Sequence, residues 1–290
     1  MDNIIIYLVT CDATSYILPA TIYLYKKFIQ PCPLIRILGF SKPVLPDWNN
    51  IEFISLAPKQ ESVNLWSKYI YNYLKNIDDD LVYFALDDFF PIDYLNKKCY
   101  DYVINYMKKN SVGFCGLSQQ PSSCPKRNEV ESIIHESEEV FIYKRKKPIN
   151  YQLCLQPGIW NKKYLVEALS IPISPWGFEL SRTTWANNNT IFFNISTSDF
   201  PTNNYKCLLP YSEQSALSSK WLNLISVLGL RHEYVKELIN NNLLDKNKLI
   251  IGAWNNYVMW NELFTKNDLI ELTKNPIGIT WYNLYKKYYI

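Results

Sequence analysis

Two adjacent aspartates, Asp87 and Asp88, follow an unbroken apolar run over residues 81–86 and precede two phenylalanines and a proline. The run is typical of a buried strand, and in open parallel sheets ligands bind beyond the carboxyl ends of the strands. Burying two neighbouring carboxylates is costly because each loses its hydration and the two charges repel each other. A divalent cation would offset both costs, so the pair predicts a Mn²⁺ or Mg²⁺ site that also holds substrate phosphates.

The two aspartates are expected to have different roles because neighbouring side chains of a strand point to opposite sides. We predict that Asp88 binds the cation and that Asp87 accepts hydrogen bonds from a nucleotide or its ribose. The alternative is structural: the pair caps the following turn, or Asp88 forms an ion pair with a lysine.

Several other kinds of site are excluded by what the 290 residues lack. Only two histidines occur, and His135 in "HESEE" has no second histidine at the spacing of a metalloprotease helix. The eight glycines form neither a dinucleotide-binding motif nor a phosphate-binding loop, and no G-x-S-x-G motif is present. If a nucleotide binds, something other than a glycine loop must neutralise its phosphates, and the predicted metal would do so.

The composition indicates a globular, intracellular protein. Hydrophobic residues make up 48% and charged residues 20%, which is enough for a large core. The net charge of +3 predicts no nucleic-acid partner, because duplex binders carry a concentrated basic excess. The seven scattered cysteines contain no C-x-x-C pair and fit reduced thiols in the cytoplasm. No apolar run reaches the roughly 18 residues of a membrane span.

Strand and helix patterns alternate over the first 117 residues, which predicts βαβ units and a mainly parallel sheet covered by helices on both faces. Strands are expected over 3–9, 34–40, 51–56, 81–86 and 112–117, with helices over 16–29, 61–76 and 93–109. The polar segment 118–139 predicts a loop or a short exposed helix. Beyond it we expect a strand pair over 140–145 and 151–156, helices over 161–170 and 174–189, and two or three more helices from about residue 206.

Four stretches in order carry a family resemblance: "TCD" at 10–12, "LDDFF" at 86–90, "LQPGIWNKKYLVEAL" at 155–169 and "SPWGFE" at 174–179. Together they resemble the nucleotide-sugar glycosyltransferases of GT-A fold, in particular the family-2-like enzymes of polysaccharide and glycan assembly. The resemblance implies a GT-A-like α/β catalytic domain over 1–230, with a nucleotide-binding half (1–117) and an acceptor half (118–230). A helical extension over 231–290 would follow.

On the donor side, the resemblance implies that Thr10 and Asp12 lie beside the base or ribose. Asp87 and Asp88 stand where the family has its Asp-x-Asp metal motif, although Leu86 replaces the first acid.

The "QPGIW" stretch has two interpretations. In one, the backbone of Gln156 and Gly158 approaches the donor sugar and Trp160 forms a wall of the sugar site. In the other, the stretch is a turn with a packed tryptophan.

On the acceptor side, Trp176 and Phe178 offer apolar faces for a sugar, and Gly177 lets the backbone approach a ligand. In the family the position of Glu179 commonly supplies an acid, so the resemblance implies that Glu179 is the catalytic base. It would take the proton of the acceptor hydroxyl in an inverting transfer. The alternative is an ordinary acid in the first turn of a helix.

The partners implied are a nucleotide-sugar donor and a glycan or lipid-linked acceptor; the oligomeric state is not predicted. The tail over 280–290 mixes aromatic residues with two lysines, so it either packs on the protein or touches a membrane surface. Two other functions use the same acids: a nucleotidyltransferase or phosphohydrolase, and a catalytically inactive sugar-binding descendant of the fold.

Overall fold

A computed structural model describes residues 4–117, 130–137, 140–197, 208–213, 215–217, 224–226, 232–244 and 249–250. The strands are β1 Ile6–Val9, β2 Ile35–Gly39, β3 Ile51–Ser55, β4 Leu81–Leu86, β5 Phe89–Pro91, β6 Val112–Gly116, β7 Val130–Glu136, β8 Phe141–Arg145, β9 Gly158–Asn161, β10 Phe193–Thr197, β11 Tyr211–Glu213, β12 Ser215–Leu217, β13 Leu224–Ser226 and β14 Leu249–Ile250. The helices are α1 Leu18–Phe28, α2 Trp66–Leu74, α3 Lys97–Lys109, α4 Lys162–Ala168, α5 Pro175–Asn188 and α6 His232–Asn240.

A nine-stranded sheet in the order β3-β2-β1-β4-β9-β6-β10-β8-β7 forms the centre of the described part. Strands β3, β2, β1 and β4 are parallel to one another. Strand β9 runs antiparallel between β4 and β6, and β8 runs antiparallel between β10 and β7. Strands β6 and β10 are again parallel to each other, so four of the eight neighbouring pairs are parallel and four are antiparallel. The predicted α/β class is confirmed, with a mixed sheet rather than a mainly parallel one.

Helices cover both faces of this sheet because its strands are apolar on both sides. On one face the core includes side chains of α1 and α3, such as Ile22 and Val103. On the other face it includes Trp66 of α2, Tyr164 of α4 and Phe178 of α5. Residues of β1 and β4 contribute to both clusters.

Helix starts follow capping rules that are visible in the sequence. The side chains of Asn96 and Asn161 accept hydrogen bonds from backbone amides in the first turns of α3 and α4. Ser174 caps α5 in the same way, accepting from Gly177 N at 3.1 Å, and Pro175 occupies the first helical position. These signals fix where α5, which carries Glu179, begins.

Two predictions about elements were wrong. Within 118–139, which we expected to be loop or helix, residues 130–136 form strand β7; residues 118–129 lie outside the described part. Residues 151–156 are not a strand, and β8 pairs instead with β7 and β10. After residue 206 the described ranges contain four short strands and one helix, α6. The further helices expected there stay a prediction, because residues 251–290 lie outside the described part.

The C-terminal region is described only in part. Helix α6 contacts α1 through a shared apolar cluster that includes Leu24 and Leu238. The predicted domain boundary at 230/231 stays a prediction, and the tail over 280–290 lies outside the described residues. No helix of the described ranges is long and apolar enough to cross a membrane.

Candidate functional site

The candidate site lies where the order of strands reverses. From β1 the chain continues to β2 and β3 on one side and then crosses to β4 on the other side of β1. The segments that follow β1 and β4 therefore diverge, and a ligand crevice is expected between them at the carboxyl edge of the sheet. Thr10 directly follows β1 and Asp87 directly follows β4, so both residues border this crevice.

Asp87 joins the two sides of the crevice. Its Oδ2 accepts hydrogen bonds from the hydroxyls of Thr10, at 2.5 Å, and Thr14, at 2.7 Å. Its backbone N donates to Val9 O at 3.0 Å, and its carbonyl accepts from the Thr21 hydroxyl of α1 at 2.6 Å. The hydrogen-bond role that we predicted for Asp87 is therefore filled by the threonines of the chain.

Burial controls the charge of Asp87. The residue is only 5% exposed, and loss of hydration raises its pKa to about 6, while the hydroxyls of Thr10 and Thr14 act in the opposite direction. Burial, with the charge of Asp87 as a second cause, raises the pKa of nearby Tyr16 to about 12. The carboxylate is thus a structural element of the crevice wall.

Asp88 is the candidate for holding a cation. It is half-buried, follows Asp87 directly and precedes β5. Burial is the main cause that raises the pKa of Tyr25, and the negative charge of Asp88 adds to it. The charge of Asp88 therefore acts on the face of the sheet that α1 covers.

The residues present fit only a cation that needs few protein ligands. Among the described residues no three His, Cys, Asp or Glu side chains form a metal-binding group. Oδ2 of Asp87 is already occupied by two hydroxyls, and the binding of a metal by Asp88 stays a prediction. Mg²⁺ tolerates such a site because it is commonly bound by one or two carboxylates together with water and substrate phosphates.

Asp12 organises the neighbouring loop after β2. It is exposed, and its two carboxylate oxygens accept from the backbone N and the hydroxyl of Ser41, both at 2.9 Å. The loops after β1 and β2 are thereby joined at the rim of the crevice. The structure places Thr10 and Asp12 at the predicted edge; their contact with a base or ribose stays a prediction.

The segment before β9 reaches the same edge from the other side. Because β9 is antiparallel to β4, its first residue, Gly158, pairs with Phe84 near the carboxyl end of β4. Gln156, two residues earlier and half-buried, therefore lies beside the crevice. Its predicted approach to a donor sugar is compatible with this position.

Glu179 lies against this segment. Its Oε1 accepts a hydrogen bond from the backbone N of Leu155 at 2.8 Å, and the residue is half-buried. Leu155 is the neighbour of Gln156, so Glu179, Gln156 and Asp88 belong to one edge of the sheet. Glu179 is the fifth residue of α5 and the first turn of this helix contains no acid, so the alternative interpretation of Glu179 as an ordinary first-turn acid is wrong.

Two aromatic predictions were wrong. Trp160 and Phe178 are fully buried, so neither side chain has surface to offer a sugar. The Trp160 ring packs 4.4 Å from that of Phe114, and the Phe178 ring lies 5.9 Å from that of Trp66. Trp176, by contrast, is 69% exposed and remains available to an acceptor.

The two glycines of the predicted site are explained by packing. A Cβ at Gly158 would lie 2.1 Å from Cε2 of Phe114, and a Cβ at Gly177 would lie 2.6 Å from Cγ1 of Ile173. Real Cβ atoms do not approach so closely, so glycine is required by core side chains at both positions. Close approach of a ligand is not needed to account for either residue.

Sequence reasoning missed three hydrogen-bond donors. Thr14 and Thr21 donate to Asp87, and Ser41 donates to Asp12. A signal was present for Thr14, which follows Thr10 in "TCDAT" at a spacing that brings both hydroxyls to one side of a turn. The three threonines that donate to Asp87 lie 66 to 77 residues away in the chain, and no local pattern reveals such contacts.

In comparisons with known proteins, no family model matches the chain and no curated protein matches it.

Proposed function

We propose that this protein is a glycosyltransferase of GT-A type that moves a sugar from a nucleoside-diphosphate donor to a glycan or lipid-linked acceptor. The observation that carries the proposal is the crevice at the strand reversal, where Asp87 fixes the loop after β1 and Asp88 adjoins it. Open α/β sheets bind their ligands at such a reversal. The free thiols of the five described cysteines support a cytoplasmic location.

The proposed reaction breaks one bond and forms another. The acceptor hydroxyl oxygen attacks the anomeric carbon, the bond from that carbon to the diphosphate breaks, and the diphosphate leaves with the electron pair. Mn²⁺ or Mg²⁺ held by Asp88 would supply Lewis-acid stabilisation of the leaving diphosphate. Attack opposite the leaving group inverts the configuration of the sugar.

Glu179 takes the proton of the acceptor hydroxyl in this proposal. The hydrogen bond from Leu155 N to Oε1 fixes the orientation of the carboxylate. The exposed ring of Trp176, three residues away on the same helix, would pack on the acceptor sugar.

Metal-dependent nucleotide binding tests the donor site. A thermal-shift series with UDP, GDP, CMP and dTDP, each with and without Mn²⁺, should show stabilisation by one nucleoside diphosphate only when metal is present. A nucleotide concentration of about 100 times the dissociation constant should raise the free energy of unfolding by about 2.7 kcal/mol. Asp88→Asn should abolish this shift because it removes the carboxylate charge that attracts the cation.

Asp93→Asn is the matched control, since Asp93 is exposed, lies five residues further on and accepts from the adjacent backbone N of Tyr94. It should keep the full shift. Stabilisation that is equal with and without Mn²⁺ would contradict the metal-assisted transfer. Hydrolysis of the nucleotide without sugar transfer would favour the phosphohydrolase alternative.

Glu179→Gln tests the base. Glutamine keeps an oxygen that can accept from Leu155 N but cannot take a proton at neutral pH, so nucleotide binding should persist while transfer falls about 10²–10⁴-fold. Glu167→Gln, on neighbouring α4, is the control and should transfer normally. A Glu179→Gln protein that transfers sugar at the wild-type rate would show that Glu179 has only a structural role.

A further inference from the structure

The connection between β8 and β9, residues 146–157, is held largely by side chains, although its last residue, Pro157, accepts a hydrogen bond from the backbone N of Leu117 at 3.4 Å. Three polar residues of α5, spaced four apart, bind its backbone: Glu179 to Leu155 N at 2.8 Å, Thr183 to Leu153 N and O at 3.4 Å, and Asn187 to Ile149 N at 3.2 Å and O at 3.1 Å. The spacing places all three on one face of the helix. We call these three residues the α5 ladder.

The sheet holds the same connection from the other side. The guanidinium of Arg145, at the end of β8, donates to Tyr151 O at 3.0 Å and to Gln152 O at 3.1 Å. Asn194 of the neighbouring strand β10 donates to Gln152 O at 3.0 Å. Arg145 is 7% exposed and Asn194 is fully buried, so these hydrogen bonds are shielded from water.

The backbone of the connection is fixed in a conformation that it would not adopt alone. Tyr151 has a φ of 53°, a left-handed value that is rare for a bulky residue. Such a conformation persists only where surrounding contacts over-determine it, and it occurs preferentially at functional sites. Arg145 supplies that contact directly, through the carbonyl of Tyr151.

The fixed segment leads to the candidate site. Leu155 is followed by Gln156 beside the crevice and then by β9, while the first member of the α5 ladder is Glu179 itself. Displacing this segment would move both the predicted donor-sugar contact and the predicted base. Displacements of about 1 Å at a reacting centre can cost about 10²-fold in rate.

We propose that Arg145 and the other two ladder residues, Thr183 and Asn187, hold residues 149–155 as a rigid platform that positions Gln156 and Glu179 for sugar transfer. Arg145 is thus a positioning residue, which acts through the backbone of Tyr151 and Gln152. This role rests on the proposed function.

Arg145→Lys is the first test because lysine keeps the positive charge but lacks the planar fork that reaches two carbonyls. We expect kcat for transfer to fall about 10–100-fold while KM for the donor changes less than about threefold. Without any substrate, amide hydrogen exchange at Leu153 and Leu155 should accelerate at least about tenfold, since the platform opens more often.

Arg182→Lys is the matched control. Arg182 is equally buried, at 6% exposure, and it donates to one carbonyl, Glu167 O, at 2.9 Å while its guanidinium lies 4.7 Å from the ring of Trp185. It does not bind the 149–155 backbone. Arg182→Lys should lower the melting temperature about as much as Arg145→Lys does. It should leave kcat and amide exchange at Leu155 near their wild-type values.

Asn187→Leu provides a second variant if Arg145→Lys does not fold. It removes the contacts to Ile149 at the far end of the platform and should also lower kcat more than it changes KM. If these variants kept the wild-type kcat and the wild-type amide exchange at Leu155, the proposed role of the platform would be contradicted. Absence of transfer by the wild-type protein would instead overturn the proposed function, and the exchange measurement would still report on the platform.

Discussion

Asp87 illustrates how a carboxylate can be kept at the buried end of a strand. Burial alone favours the neutral acid, yet two hydroxyls and the local backbone act against that effect. Because the donors come from the loop after β1, the charge of Asp87 also determines where that loop lies. The residue therefore contributes to this edge through structure, while a ligand role for its neighbour Asp88 stays a prediction.

Thr10→Val tests this function of Asp87. Valine has nearly the same shape but no hydroxyl, so one of two donors to a buried carboxylate is lost. Hydrogen bonds to charged groups contribute about 1.5–3 kcal/mol, and we expect the free energy of unfolding to fall by about 2 kcal/mol in urea denaturation at neutral pH. Thr10→Ser, which keeps the hydroxyl, should lose less than half as much.

If Thr10→Val were as stable as the wild type, the 2.5 Å hydrogen bond would not be a determinant of the crevice.

The sequence predicted the acidic pair at this site because an apolar run marks the end of a strand without ambiguity. It did not predict which aromatic side chains are exposed. Trp160 lies on a strand and Phe178 on the inner face of a helix, but both follow a turn-like motif that is equally compatible with a ligand site. Burial depends on which helix covers which strand, and that information is not local.

At the scale of elements, periodic segments were predicted well and irregular ones were not. Residues 151–156 alternate in polarity and were expected to form a strand, and Leu153 and Leu155 are indeed buried. Their backbone groups, however, bind Thr183 and Glu179 of α5 instead of another strand. A strand pattern in the sequence reports the alternation of burial, and the source of the backbone hydrogen bonds must be supplied by the fold.

Strand β7 shows the opposite case. Its sequence, "VESIIHE", is polar enough to resemble a loop, because among the described strands it lies at the edge of the sheet, beside β8. Its register shifts twice along β8, so the regular alternation of a strand is interrupted. Edge strands commonly carry charged residues and irregularities of this kind, which weaken the sequence signal.

At the scale of the whole molecule, α6 links the C-terminal region to the acidic edge. The apolar cluster that it forms with α1 also contains Phe90 of β5, the strand that follows Asp88 directly. On the surface of this cluster Glu237 of α6 accepts hydrogen bonds from Tyr23 and Lys27 of α1. Helix α6 therefore supports the segment that holds the candidate cation ligand.

The pH dependence of the stability of the Glu237→Gln variant tests this link. The hydrogen bond from Lys27 is the largest cause that lowers the pKa of Glu237 below its ordinary value, and the hydrogen bond from Tyr23 acts in the same direction. A lowered pKa in the folded state stabilises the protein above the unfolded value of about 4.3, and this contribution is lost as the pH falls through the folded value. We expect the glutamine variant to lose about 1 kcal/mol at pH 7, since the pair is only partly buried.

Urea denaturation measures the difference in the free energy of unfolding between Glu237→Gln and the wild type. This difference should shrink towards zero near pH 3, where the glutamic acid is neutral and similar in shape to glutamine. Lys27→Met should remove most of the difference at pH 7, because the partner that lowers the pKa most is then absent. A difference of the same size at both pH values would mean that Glu237 acts through packing, and that α6 is held to α1 by Leu238 and its apolar neighbours without help from the ion pair.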